Sequence, residues 1–220
     1  MNRILILSGG EIDQALLNEI LSQYTFARVI CADRGVLAAR SAGIVPDVMI
    51  GDFDSLGEEM LRESEAFYHD RGEVRLIKLP PVKDVTDTEA ALDLALAEHP
   101  EEIWILGGTG TRIDHVLGCL SLLLKARECG SDAVLWDAHN RIRLIGGDTV
   151  IRRSEQFGAY ISLVPFGGKA EGVTLEGFYY PLHDAELTFG NSLGISNEIV
   201  SEEAKIHITR GLALCIESRD

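Results

Sequence analysis

Six short apolar runs that alternate with helical patterns, with a polar or glycine-rich corner after each run, constrain this chain more than any other feature. They are Arg3 to Leu7, Arg28 to Ala32, Val48 to Ile50, Val74 to Leu79, Ile103 to Leu106 and Ala133 to Trp136. Buried runs this short, alternating with amphipathic segments, predict parallel strands joined by right-handed crossovers. Beyond about His139 the rhythm changes. Ile142 to Ile145, Thr149 to Ile151, Tyr160 to Val164, Val173 to Leu175, Lys205 to Ile208 and Leu212 to Ile216 are β-like runs separated by glycines and polar turns, with no amphipathic helix of convincing length among them. The expected fold is therefore α/β. A doubly wound, mainly parallel sheet with flanking helices occupies residues 1–138, and a small antiparallel β-sandwich occupies residues 139–220.

Charge and cysteine usage narrow the partners. The formal net charge is −15, from 20 basic and 35 acidic residues. That balance argues against a general nucleic-acid or anionic-membrane binder, whose affinity comes from basic surface. Cys31, Cys119, Cys129 and Cys215 are scattered and form no C-x-x-C pair, so reduced thiols in a cytoplasmic protein are expected rather than a zinc site or a disulfide framework. The first apolar run is too short for a signal peptide, and no run approaches the length of a membrane span.

The corners carry the chemistry. In a parallel sheet, ligands bind outside the carboxyl ends of the strands. There the chain places Ser8-Gly9-Gly10, Asp33-Arg34-Gly35, Gly51-Asp52-Phe53-Asp54, Pro80-Pro81-Val82-Lys83-Asp84 and Gly107-Gly108-Thr109-Gly110-Thr111-Arg112. Glycines let backbone amides approach a phosphate closely, and following helices point positive dipole ends at the same rim. If the backbone stays extended, Asp52 and Asp54 share a face. Two such oxygen ligands suit Mg²⁺, which completes its shell with water and phosphate oxygens. The competing account makes both aspartates turn and cap residues.

Lys83-Asp84-Val85-Thr86-Asp87-Thr88-Glu89 leads into a helix. Thr86 and Glu89 fit a capping box, and Asp87 on the first turn could also complete a metal site with Asp52 and Asp54. Lys83 adds positive charge beside the cluster. In Gly107 to His115, Arg112 can fork onto phosphate oxygens while Asp114 caps the helix or holds Arg112; His115 is a ligand contact at best. The turn is neither a Walker A loop nor a dinucleotide fingerprint. Near the end, the segment from Ser192 to Glu198 offers hydroxyls and an amide that could read a heteroaromatic ring, or simply form a polar turn.

Taken together, Ala32 to Gly35, Pro46 to Ser55, Lys83 to Ala91, Gly107 to His115 and Ser192 to Glu198 resemble, in order, the motifs of the thiamine pyrophosphokinase family. The resemblance implies an α/β domain holding Mg-ATP, a β-sandwich contributing to thiamine binding, and a homodimer with active sites between subunits. It implies transfer of the diphosphoryl group of ATP to the hydroxyethyl oxygen of thiamine, giving thiamine diphosphate and AMP. Carried over residue by residue, Asp52, Asp54 and Asp87 are the magnesium carboxylates, with Asp33 a weaker member of the metal shell. Lys83 and Arg112 neutralise phosphate charge. Asp33, Arg34, Gly35, Thr86, Gly107, Gly108, Asp114 and His115 line the nucleotide, and Ser192, Ser196 and Asn197 meet thiamine. No aromatic transfers cleanly to a stacking role; Tyr179, Tyr180 and Phe189 are the candidates. Two competing expectations remain open: another heteroaromatic alcohol, such as a hydroxymethyl pterin, as acceptor, and a non-catalytic nucleotide- or thiamine-binding regulator.

Overall fold

The computed structural model describes residues 2–54, 56–82 and 84–220. The chain divides into two compact units, Met1–Ala138 and His139–Asp220.

In the first unit the strands are β1 (Arg3–Leu7), β2 (Arg28–Ala32), β3 (Val48–Gly51), β4 (Arg75–Lys78), β5 (Glu102–Leu106) and β6 (Asp132–Trp136). They pair in parallel in the order β4-β3-β2-β1-β5-β6. The central strands are the driest: Ile4 to Leu7, Ile30 to Ala32 and Ile103 to Leu106 are buried, whereas the edge strand β4 is half-exposed and shorter than its apolar run suggests. The helices are α1 (Gln14–Gln23), α2 (Gly35–Ser41), α3 (Glu58–His69), α4 (Asp87–Leu96) and α5 (Ile113–Glu128). Successive steps from β1 to β4 run one way across the sheet and the step from β5 to β6 runs the other. With right-handed connections, α1 to α3 therefore cover one face and α5 the opposite one, where α4 packs beside it. The winding reverses between the neighbouring strands β1 and β5, which is the topological switch point.

The second unit differs from its expected segmentation. Six β-like runs become three long strands, β7 (Asn140–Arg152), β8 (Tyr160–Glu176) and β10 (Glu203–Ser218), and a strand absent from the sequence reading, β9 (Leu182–Leu187), joins them. They pair antiparallel in the order β7-β10-β8-β9. The glycines that looked like strand ends are bends within strands. The β7–β10 register shifts between Ile208 and Ala213, and the β10–β8 register shifts between Arg210 and Leu212. Gly211 sits at that bend with φ +90°, and a Cβ there would stand 2.1 Å from the Lys169 carbonyl oxygen. Because the strands bend, one apolar core draws on both halves of each: Ile145 and Ile151 from β7, Leu163 and Leu175 from β8, Ile206 and Cys215 from β10. The antiparallel layer thus closes over its own centre, as a sandwich does. A buried Glu217 is held by Arg141 at 2.6 Å, Arg143 at 2.9 Å and the Phe157 amide at 2.9 Å.

Candidate active site

A cleft of about 970 Å³ opens at the switch point of the first unit. Its floor is backbone. The Ser8 amide donates to the Leu106 carbonyl at 2.8 Å and the Gly10 amide to the Gly107 carbonyl at 3.0 Å, so the corners after β1 and β5 continue the pairing of their strands. A Cβ on Gly10 would stand 2.3 Å from the Gly107 oxygen, and only glycine permits that approach.

Carboxylates come from three neighbouring corners. Asp33, directly after β2, has φ +48° and donates its amide to the Ile50 carbonyl at 2.9 Å. Asp52 follows β3, and Asp87 opens α4 with an oxygen 3.4 Å from where a Cβ on Gly51 would stand. All three line the cleft with Arg34, Thr86, Gly107, Gly108, Arg112 and His115. The parallel topology has gathered residues from five corners onto one rim.

Asp54 is not among them. The expectation that Asp52 and Asp54 share a face needs an extended Phe53, but Phe53 has φ +59° and a buried ring. The left-handed residue breaks the period-two alternation, leaving Asp52 half-buried at the cleft and Asp54 exposed outside its lining. The Asp54 amide turns back to donate to Asp52 Oδ1 at 3.1 Å. Lys83 lies outside the described residues.

Of three other expected nucleotide residues, Thr86 lines the cleft and Gly35 and Asp114 stand outside its lining. Gly35 lies beneath the cleft, where a Cβ would stand 1.9 Å from the Leu7 carbonyl oxygen; its lack of a side chain seats α2 on β1. Thr86 lines the cleft and also caps α4, accepting from the Glu89 amide at 3.1 Å. The capping box is only half formed, because Lys125 of α5 takes the Glu89 carboxylate at 2.9 Å. Asp114 stands outside the lining and holds Arg112 by a two-point pair at 2.6 and 3.2 Å. That hydrogen bond from Arg112 is the main reason the Asp114 carboxyl titrates at about 2, below the usual range.

Among the described residues, no group of three or more His, Cys, Asp or Glu side chains could hold a metal ion by itself. The donors present are nevertheless hard carboxylate oxygens on one rim. They fit a cation that takes one or two carboxylates and completes its shell with water and phosphate oxygens.

The cleft also contains residues that the sequence reading passed over. Thr88 pairs its hydroxyl with that of Ser8, tying the α4 entry to the β1 corner. Glu11, Ile12 and Gln14 from the α1 entry, and Leu37 and Ser41 from α2, also line the cleft. Their only signal in sequence is position, on helices that begin at the rim.

In the second unit, Ser192 and Ser196 are exposed, and Ser196 has φ +55° with its amide donating to Ser162 Oγ at 2.9 Å. Asn197 is only 3% exposed. Its Oδ1 accepts from the Tyr180 amide at 2.9 Å and the Glu198 amide at 2.9 Å, while its Nδ2 donates to the Tyr180 carbonyl at 2.7 Å. The carboxamide is spent on backbone, and it fixes the segment carrying the exposed Tyr179 and Tyr180, whose rings meet edge to face at 4.8 Å.

Residues 19–135 match the family described as "Thiamin pyrophosphokinase, catalytic domain", and residues 148–213 match "Thiamin pyrophosphokinase, vitamin B1 binding domain". A thiamine pyrophosphokinase of Bacillus subtilis is 36% identical over 192 residues, covering 87% of each chain. The chain belongs to the thiamine pyrophosphokinase family. A solved Bacillus subtilis member of the family superposes with a TM-score of 0.87 at 32% identity over the whole of both chains. The yeast thiamin pyrophosphokinase structure shares the fold, with a TM-score of 0.81 at 17% identity, covering 99% of this chain and 86% of its own.

Proposed function

We propose that this chain is a thiamine diphosphokinase: the hydroxyethyl oxygen of thiamine attacks the β-phosphorus of ATP, the bond from that phosphorus to the oxygen of the α-phosphate breaks, and AMP leaves. The observation that carries the reading is the convergence of Asp33, Asp52, Asp87, Arg34 and Arg112 on one switch-point cleft in a chain of this family. Transfer of this kind makes few covalent demands on a protein, so catalysis is mostly positioning and charge neutralisation.

Residues 1–138 supply the nucleotide site in this reading. Arg112, held in place by Asp114, and Arg34 oppose phosphate charge, while the glycine corners after β1 and β5 admit the phosphates to backbone. Asp52 and Asp87, with Asp33 and Asp54 as further ligands, would hold Mg²⁺. When bound, that ion neutralises and aligns the phosphates. Lys83 enters this reading from the sequence alone, as a further charge that would oppose the phosphates. Residues 139–220 supply the thiamine site, with Ser192 and Ser196 as polar contacts and Asn197 acting through the Tyr179-Tyr180 segment it pins. The match of the second unit to a vitamin B1 binding domain favours thiamine over a pterin alcohol.

We assign the active form to a cytoplasmic homodimer with active sites between subunits. The described cysteines are all free thiols, which suits a reducing compartment. Ile113 and Leu117 are 67% and 58% exposed on α5 beside Arg112, and Tyr179, Tyr180 and Phe189 are exposed on the second unit; a partner subunit would cover such surface. No described helix is long and apolar enough to cross a membrane.

The deciding experiment measures nucleotide products from ATP and Mg²⁺, with and without thiamine, alongside the mass of the thiamine product. Thiamine-dependent AMP with thiamine diphosphate is expected. ADP with thiamine monophosphate would overturn attack at the β-phosphorus, and binding without turnover would make the chain a regulator.

A further inference from the structure

Resting on the reading of the cleft as a nucleoside triphosphate site, we infer that the Thr88 hydroxyl, backed by Ser8, donates a hydrogen bond to a phosphate oxygen of the bound nucleotide.

Two hydroxyls carry two protons, and the one hydrogen bond between Ser8 Oγ and Thr88 Oγ1 uses only one of them. Whichever oxygen accepts in that bond keeps its own proton for another partner. Neither side chain makes a further hydrogen bond among the described residues. Ser8 is 4% exposed and Thr88 half-buried, and both line the cleft. With Ser8 donating and Thr88 accepting, the spare proton sits on the more open of the two oxygens.

Its outlet is the cleft. A threonine inside a helix can return its hydroxyl to the carbonyl one turn back. Thr88 is only the second residue of α4, so Asp84, four residues back, precedes the helix, and no such bond is made among the described residues.

The neighbours on either side decide what the proton meets. Ser8 leads directly into Gly9-Gly10, the corner whose Gly10 amide donates to the Gly107 carbonyl. Asp87 precedes Thr88 and stands beside Gly51 at the end of β3. The hydroxyl pair thus bridges a glycine corner assigned to the phosphates and a carboxylate assigned to Mg²⁺. Phosphate oxygens that the ion does not hold need donors, and their charge strengthens the bond they accept. Ser8 strengthens it again, because a hydroxyl that accepts one hydrogen bond donates a better one. A cation in the place of Thr88 would pair with Asp87; a neutral hydroxyl leaves that carboxylate to the ion.

The test uses the full chain and compares wild type with Thr88→Val, Thr88→Ser and the double variant Ser8→Ala/Thr88→Val. Valine keeps the shape of threonine without its hydroxyl. The double variant removes both polar groups, so no buried hydroxyl is left unpaired and the fold survives. Dissociation constants are read for adenosine, ATP and inorganic tripolyphosphate in Mg²⁺ without thiamine, together with KM for both substrates and the unfolding midpoint. Both variants that lack the Thr88 hydroxyl are expected to bind ATP and tripolyphosphate about tenfold or more weakly, with adenosine affinity and the KM for thiamine unchanged. Thr88→Ser should return close to wild type. A purely structural tie would weaken adenosine and ATP together, or move the unfolding midpoint alone, and either result would overturn the inference. So would unchanged ATP affinity with a higher Mg²⁺ requirement, which would put the hydroxyl in the ion's shell instead. If wild type binds ATP but forms no thiamine diphosphate, the proposed function fails, and the comparison of ATP with adenosine still decides the role of Thr88. Wild type binding neither ATP nor tripolyphosphate would overturn both.

Discussion

The two units use similar polar signatures for opposite purposes. Asp87 and Asn197 both belong to polar stretches that look like ligand-binding turns. In the first unit a parallel sheet ends all its strands at one rim, so Asp33, Asp52 and Asp87, distant in sequence, line one cleft. In the second, an antiparallel sheet returns the chain on itself, and the Asn197 carboxamide is consumed in holding Tyr180 and Glu198. A polar residue near a turn reads as chemistry only once topology shows whether backbone or solvent receives it.

That contrast can be broken by mutation. The largest effect is expected at the buried Glu217. Glu217→Gln leaves Arg141 and Arg143 without their anion and should lower stability by about 3 kcal/mol, a value reduced from that of a dry pair because both arginines are partly exposed. Urea unfolding checks this, and ATP affinity of the folded protein should not move. Asp52→Asn should do the reverse, cutting AMP release about a hundredfold or more with an unchanged unfolding midpoint. Asp54→Asn, outside the cleft lining, should lose less, and equal losses would show that the loop reorganises when nucleotide binds.

Asn197→Ala sharpens the comparison from the second unit. It removes three hydrogen bonds to the backbone of Tyr180 and Glu198, and should remove about 2 kcal/mol of stability and raise the KM for thiamine without raising that for ATP. A loss of ATP affinity instead would contradict the separation of roles. The smallest effect belongs to Asp114→Asn, which frees Arg112 on an exposed surface and should change the KM for ATP only a few-fold. Its sign with pH follows from the lowered carboxyl. The pair's contribution is complete above the ordinary carboxylate range and is lost only as pH falls through about 2. Activity profiles of wild type and variant should therefore run parallel between about pH 5 and 9; a divergence there would point to another titrating group.

Much of the first unit was legible because its signals are local. The strand expectations Arg3 to Leu7 and Arg28 to Ala32 coincide with β1 and β2, since a strand buried on both faces is a continuous apolar run bounded by corners. The second unit was less legible at the same scale. Gly211 looks like a terminator, yet it bends a strand that carries on to Ser218, and only the pairing partner reveals a bulge. At the site, the sequence placed Asp52 and Asp54 together by alternation, but the backbone conformation of Phe53 separated them, and no pattern of residue types encodes that angle. Thr88 and Gln14 escaped notice because each stands on a helix whose entry meets the rim only after the sheet has assembled.

The sequence by itself determined the alternation of strands and helices, the change to antiparallel strands, and the family to which the chain belongs. These depend on periodicity and local motifs, which neighbouring residues carry between them. The tertiary structure alone decided which carboxylates reach the cleft, that Asn197 serves the backbone, and that Leu37 and Ser41 of α2 join the same lining. Each of those depends on contacts between residues far apart in the chain, and the strand order and backbone turns that create such contacts exist only once the sheet has formed.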